Sequence, residues 1–190
     1  LADCGIHALN MVCFVTGQEV TDISADFVST VPSRELEDDA FLNFRMDGGT
    51  VGRLWASSIA LGRLHGLSLQ VFGEDGGLSW HQEQPNQLFY MPLNGRKEII
   101  ERGDSGLSKI AQEASRVTIG HPEGMPLAFA NLYRDLATEI IHKNFGKRKI
   151  SKPLFPDAES GLRSICCIYA AKESSLANGI WVSAVPESLN

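Results

Sequence analysis

Three short glycine turns constrain this chain more than any other feature: Asp47-Gly48-Gly49, Asp75-Gly76-Gly77 and Asn94-Gly95. Each separates two apolar-rich runs. Each also suits a tight hairpin, because glycine and asparagine reach positive φ at little steric cost. Hairpins join sequence neighbours antiparallel, so three of them within about sixty residues predict a meander and not a parallel sheet. The flanking runs fit that reading. "AFLNFRM" puts Ala40, Leu42, Phe44 and Met46 on one face, and "TVGRLWASSIA" returns from the first turn. "LSLQVFGE" leads through the second turn into "GLSWHQE", and "QLFYMPL" through the third into "KEIIER".

Helical periodicity brackets the meander. Ile6, Leu9, Val12, Cys13 and Val15 recur at helical spacing between Gly5 and Thr16, with Gly17 as the stop. "EVTDISADFVSTV" is rich in β-branched residues and predicts a strand running into the charged loop "PSRELEDD". Further on, Phe129, Leu132, Leu136 and Ile140 form one apolar stripe between Glu123 and His142, with Arg134, Asp135 and Glu139 off it. Asp157 is the N-cap candidate for a helix through "GLRSICCIYAAKESSLA", which Asn178-Gly179 would end before a closing strand, "IWVSAV".

This order predicts an α+β fold: a large, mainly antiparallel, open-faced sheet with helices on one face. No linker, internal repeat or low-complexity tract divides residues 1–190, so one domain is expected. Helices on one face leave the other uncovered, and bulky residues such as Phe41, Arg45 and Phe72 fall away from the presumed core. Such a face predicts an oligomer interface, dimeric or tetrameric.

Composition limits the partners. A net charge of −6 and a pI near 5.3 argue against a phosphate-binding surface, so nucleic acid is not an expected partner. The basic stretch Lys143–Lys149 reads as a helix end followed by a solvated loop. No run of eighteen apolar residues and no signal-peptide pattern is present, which predicts a cytoplasmic protein without a membrane partner. Cys4, Cys13, Cys166 and Cys167 lack metal-ligand spacing; they read as small buried hydrophobes in a reducing compartment, and no metal is expected.

Candidate chemistry begins at "LADCGIHALN". Asp3 and His7 stand four residues apart, so on a helix both would face one ligand. Neutral imidazole is a suitable general base near pH 7, and a neighbouring carboxylate can fix its tautomer. The competing reading is an acidic residue placed to satisfy the helix dipole, with a histidine incidentally beside it. In "GHPEG", Gly120–Gly124, Pro122 would set up a helix start and Glu123 would sit in its first turn; His121 on such a loop can also reach a ligand. His65 and His81 fall near strand ends and His142 near a helix C-terminus. The segment "FGEDGG" joins two strands and precedes no helix, so it is not a dinucleotide fingerprint.

Three segments in order resemble a known family. "DCGIHALNMVCFVTG" is similar to the D-x-G-x-H segment of the C-terminal domain of the Gfo/Idh/MocA family, NAD(P)-dependent sugar and cyclitol dehydrogenases. "GHPEGMPLAFANLYRDLATEI" resembles that family's HPEG helix, and "PDAESGLRSICCIYAAKESSLANGIWV" its closing helix and Gly-Trp-Val strand. The resemblance spans Ala2 to about Val182. It implies a two-domain enzyme of which residues 1–190 are the substrate-binding and oligomerisation half. The other half would be an N-terminal Rossmann domain with a glycine fingerprint and a catalytic lysine in an E-K-P motif. Here neither appears, and the one Lys-Pro pair, Lys152-Pro153, follows Ser151 in a late loop.

Carried over residue by residue, Asp3 and His7 match the family's catalytic pair, which works with that lysine on the substrate hydroxyl. Gly5 matches the intervening glycine, expected to allow close approach of a backbone or of the nicotinamide. Cys4 stands where an aliphatic residue is usual, and His121 matches a histidine expected near the substrate. The implied cofactor is NAD or NADP, bound mainly by the Rossmann domain. The implied substrate is a small polyhydroxylated molecule, with the inositol and anhydro-sugar branches suggested by the HPEG helix. Two other functions remain open on the same fold: a non-catalytic sugar-sensing or scaffold protein, and an NAD-dependent glycosidase.

Overall fold

A computed structural model describes residues 1–146 and 154–186. The stretch 147–149 of the basic cluster and the Lys152-Pro153 pair lie outside the described residues. The elements run α1 (Cys4–Thr16), β1 (Val20–Val28), β2 (Asp39–Met46), β3 (Val51–Ser57), β4 (Ser68–Gly73), β5 (Gly76–His81), β6 (Gln87–Pro92), β7 (Glu98–Glu101), α2 (Lys109–Ala114), α3 (Met125–Phe145), α4 (Ala158–Leu176) and β8 (Val182–Ser183). Every strand pairing described is antiparallel. The strands are hydrogen-bonded as two four-stranded sheets, β3-β2-β1-β8 and β4-β5-β6-β7. The α+β class stands, with the expected large sheet divided between β3 and β4. The chain forms two compact units, Leu1–Arg63 with Pro156–Asn190, and Leu64–Phe155.

In the first unit, strand alternation decides which face is inside. Ala40, Leu42, Phe44 and Met46 are buried along β2, beside Ile23 and Ala25 of β1. Helix α4 lies against β1 and α1 against β3, and both cover this one face. Leu9 and Val12 of α1 and Cys167, Ala170 and Ala171 of α4 complete the core. The opposite face carries Asp22 and Asp26 of β1, Phe41 and Arg45 of β2, and Arg53 and Trp55 of β3, in register across the strands. Phe41 and Trp55 stack there at 6.4 Å between centroids, and the Arg45 guanidinium sits 4.1 Å over Trp181.

The edge of β1 is closed in an unusual manner. Strand β8 is two residues long and pairs only with Asp22 and Ile23. Beyond it the chain supplies hydroxyls. The Ala25 N–H donates to Ser174 Oγ at 2.9 Å and the Phe27 N–H to Ser175 Oγ at 3.0 Å. Ser24 Oγ donates to the Gly179 carbonyl at 2.7 Å, and the fully buried Ser174 hydroxyl donates to the Ile180 carbonyl. At the other end of α4, Asp157 is the N-cap, its carboxylate accepting from Ser160 N–H at 2.9 Å. Asn178 and Gly179 take positive φ and end it.

In the second unit the hairpins form, with one shift. The turn between β4 and β5 sits at Glu74-Asp75, because Gly73 already pairs with Gly76. Gly76 is glycine for a different reason: a Cβ there would lie 2.5 Å from the Met91 carbonyl oxygen of β6. Helix α2 is an addition to the predicted elements; six residues are too few to display a period, although Ser108 caps it. The stripe on α3 is correctly aligned but is not core. Phe129, Leu132, Leu136 and Ile140 remain 39–49% exposed, while Asp135 is the buried residue of that helix at 4%. Polar contacts hold α3 to the end of α2: Asn131 Nδ2 donates to the Ala114 carbonyl at 2.7 Å, and Arg134 Nη1 to the Glu113 carbonyl at 3.1 Å.

Ser174→Ala leaves the buried Ala25 N–H without its partner and the Ile180 carbonyl without a donor. We expect a loss of about 2 kcal/mol, read as a lower urea midpoint at unchanged m-value. Ser164→Ala is the matched control on the same helix. Its hydroxyl donates only to the Ser160 carbonyl one turn back, so its removal should leave the midpoint nearly unchanged.

Candidate functional site

Helix α1 separates its residues by burial. Gly5, Leu9 and Val12 face the sheet and are buried, whereas Asp3, His7, Asn10 and Phe14 are exposed. Asp3 precedes the helix in a turn with helical dihedrals, and its side chain makes no capping hydrogen bond. Its carboxylate receives only the Cys4 thiol, at 3.8 Å, among the described residues. The carboxylate is therefore not consumed by capping, which removes half of the structural explanation for its presence. Asp3 and His7 share one exposed face, one helical turn apart.

Gly5 is buried, and a Cβ added there would run into the Leu1 side chain and stand 3.3 Å from Ala56 Cβ on β3. The close approach it permits within this chain is that of α1 to its own sheet.

The cysteines also divide. All four are free thiols, but Cys4 is exposed, contrary to the expectation that all are buried. Burial, reinforced by the Glu19 charge, pushes the Cys13 thiol up to about 11. Burial likewise pushes Cys167 up to about 12. Both are inert packing groups at neutral pH.

His121 belongs to the second unit, on an exposed turn following Gly120, whose φ is +84°. The helix after it starts later than predicted: Gly124 is the N-cap and Met125 the first residue of α3. Glu123 thus lies before the helix and not in its first turn. Its carboxylate folds back to accept from the Arg116 and Val117 N–H groups and to pair with Arg102 at 3.1 Å. Asn86 Oδ1 joins them, accepting from Arg102 Nε at 3.0 Å and from the Glu123 N–H at 3.3 Å. Neither Arg102 nor Asn86 was legible in the sequence; the signal lay in an acidic residue followed by glycine instead of by helix. His65 is exposed, His81 ends β5 and His142 lies in the last turn of α3. An open depression of about 570 Å³ lies over one face of β4–β6, lined in part by Gln70, Phe72, Ser79, His81, Phe89 and Met91.

With every described pairing antiparallel, the chain offers no strand–glycine turn–helix cradle for a dinucleotide pyrophosphate among the described residues. What it does offer is an exposed carboxylate and imidazole able to meet a hydroxylated ligand from one side. Among the described residues no helix is long and apolar enough to cross a membrane.

This arrangement, a helix-backed antiparallel domain bearing an acid–imidazole pair on its first helix, has relatives. Residues 1–79 match the family model of the GFO/IDH/MocA C-terminal domain. Over 185 residues, 96% of the chain, it is 29% identical to an uncharacterized oxidoreductase, YfiI, of Bacillus subtilis (strain 168), covering 47% of that protein. The crystal structure of an oxidoreductase from Sinorhizobium meliloti is similar with a TM-score of 0.88 at 38% identity, over 95% of this chain and 51% of that one. An inositol dehydrogenase homolog from Azotobacter vinelandii, complexed with NADH and myo-inositol, gives a TM-score of 0.86 at 28% identity, over 95% and 48%. The chain therefore spans about half the length of the relatives it matches. Residues 1–79 are thus similar to the C-terminal domain of the GFO/IDH/MocA oxidoreductases, and the chain as a whole has the fold of the matching half of these solved relatives.

Exposure and thiol basicity predict an order of labelling. At pH 8 a maleimide should modify Cys4 first, while Cys13 and Cys167, with thiolate fractions of about 10⁻³ or less, stay unlabelled in the native state. Peptide mapping by mass spectrometry reads the order, and early modification of Cys167 would contradict the packing described.

Proposed function

We propose that the protein containing this chain transfers a hydride between a hydroxyl of a sugar or cyclitol and NAD(P), with this chain as its substrate-binding and oligomerisation domain. The observation that carries this reading is the exposed Asp3/His7 face of α1, with the Asp3 carboxylate free of capping duty. The complex of a related inositol dehydrogenase homolog with NADH and myo-inositol supports both the cofactor and the polyol class. An N-terminal nucleotide-binding domain, bringing a lysine to the same hydroxyl, completes the proposal. The four free cysteines favour a reducing, cytoplasmic setting.

Each residue then has a chemical task. His7 as neutral imidazole accepts the hydroxyl proton while the carbinol carbon gives up hydride and becomes a carbonyl. Asp3 accepts a hydrogen bond from a substrate hydroxyl or from the imidazole, holding the reacting group in one orientation. A bound nicotinamide supplies the hydride acceptor.

The open face of the first unit's sheet supports a second proposal, association of copies of this chain through that face. Acidic Asp22 and Asp26 lie on β1, and basic Arg45 and Arg53 on β2 and β3. A two-fold axis over the face would set each row against its complement, around the exposed Phe41–Trp55 stack.

Two measurements test these readings. In the full-length protein, His7→Ala should lower kcat by about 10²–10⁴-fold with cofactor affinity retained, assayed on a polyol and sugar panel led by myo-inositol. Unchanged turnover would sink the role of His7; product release without net NADH would point to a glycosidase, and no turnover on any member to a sensor or scaffold. Light scattering after size exclusion should show an oligomer that Phe41→Asp with Trp55→Asp converts to monomer. A wild-type monomer at high concentration would exclude the interface.

A further inference from the structure

The sequence contains two Asn-Gly pairs, Asn94-Gly95 and Asn178-Gly179. Asparagine followed by glycine is the pair most prone to lose its side-chain amide, because no side chain keeps the glycine nitrogen from reaching the asparagine Cγ. The two pairs are closely matched in local conformation. Both asparagines are exposed, and both take positive φ, 61° at Asn94 and 57° at Asn178. They differ in how the glycine that follows is held.

After Asn178 the peptide is built into the edge of β1. The Gly179 N–H donates to the Ser174 carbonyl at 2.8 Å, and the Gly179 carbonyl accepts from Ser24 Oγ at 2.7 Å. Gly179 is half-buried, and the next carbonyl, that of Ile180, accepts from the fully buried Ser174 hydroxyl. Swinging the Gly179 nitrogen toward Asn178 Cγ breaks these bonds together and draws the chain off β1, so attack there requires the unit to open. After Asn94 the peptide is held by one hydrogen bond among the described residues: the Gly95 N–H closes the turn on the Pro92 carbonyl at 3.1 Å. Gly95 is exposed, as are Leu93, Arg96 and Lys97 around it. A single bond in an exposed hairpin corner breaks without disturbing the β6–β7 ladder, whose pair nearest the turn is Tyr90 with Glu98. The glycine is itself required, since a Cβ at Gly95 would run into the Pro92 ring.

We propose that Asn94 is a site of spontaneous deamidation in the folded protein, and that the fold shields Asn178 from the same reaction. The Gly95 nitrogen gives its proton to water or hydroxide and attacks Asn94 Cγ. The new C–N bond closes a five-membered succinimide as the Cγ–NH2 bond breaks and its nitrogen leaves as ammonia. Water then opens the ring at either carbonyl, leaving aspartate or isoaspartate, with nothing oxidised or reduced. Isoaspartate lengthens the backbone by one methylene at a left-handed corner and adds a carboxylate beside it. Leu93, one residue earlier, donates its N–H to the Asp75 carbonyl of the β4–β5 turn at 2.7 Å, so the longer corner loosens two adjoining turns.

The test incubates the full-length protein at pH 8 and follows both asparagines by peptide mapping, with isoaspartate counted by enzymatic methylation. Asn94 should convert at least about tenfold faster than Asn178 in the native protein, with ammonia released in step. In urea, where neither glycine is held, the two rates should agree within about threefold. Ser24→Ala, which frees the Gly179 carbonyl, should speed conversion at Asn178 and leave Asn94 unchanged. Amide exchange at Leu93 should quicken in the isoaspartyl form. An Asn94 that stays intact in the native protein while it converts in urea would overturn the site. Equal native rates at the two pairs, or a gap of the same size in urea, would overturn the shielding assigned to the fold.

Discussion

The first unit depends on the docking of two serine hydroxyls from the end of α4 onto the open edge of β1. A two-residue β8 cannot satisfy β1, and the unpaired Ala25 and Phe27 N–H groups would otherwise be stranded beside the core. Ser174 and Ser175 supply the acceptors, so the helix completes the sheet. That choice fixes which face of the sheet α4 covers. It packs α4 on β1, with Cys167, Ala170 and Ala171 of the helix and Ile23 and Ala25 of the strand all buried. The opposite face, with its stacked aromatics and charge rows, receives no helix of this unit among the described residues and carries Trp181 against Arg45.

Much of this was legible in the sequence because it follows from local rules. The alternation along β2, the Asp157 cap, the Asn178-Gly179 stop and the antiparallel hairpins each depend on residues within a few positions of one another. What could not be read depends on distant partners. Gly76 is required by Met91 of the neighbouring strand, and Glu123 by Arg102 on the far side of α2. Asp135 lies buried on a helix whose apolar stripe is half exposed, a reversal that periodicity cannot announce. A stripe says where the apolar residues align; it does not say that anything lies against them.

The site shows the same division. The spacing of Asp3 and His7 set them on one helical face, and the helix forms as its period indicates. The chemical role proposed for them comes from resemblance, since an acid and an imidazole four residues apart are common on helices. The packing of Gly5 against Ala56 could not be read, because that partner lies 51 residues away in sequence. Arg102 and Asn86 were invisible for a related reason: neither belongs to a motif, and both act through the backbone of another loop.

Gly5 sets the height of α1 above its sheet. A side chain there would meet Leu1 and stand 3.3 Å from Ala56 Cβ, so a thicker residue would push the helix away from β3. Asp3 and His7 ride on the same rigid rod, and both would move outward together with their spacing intact. The smallest residue of the segment thus acts as a gauge for an exposed face it does not share.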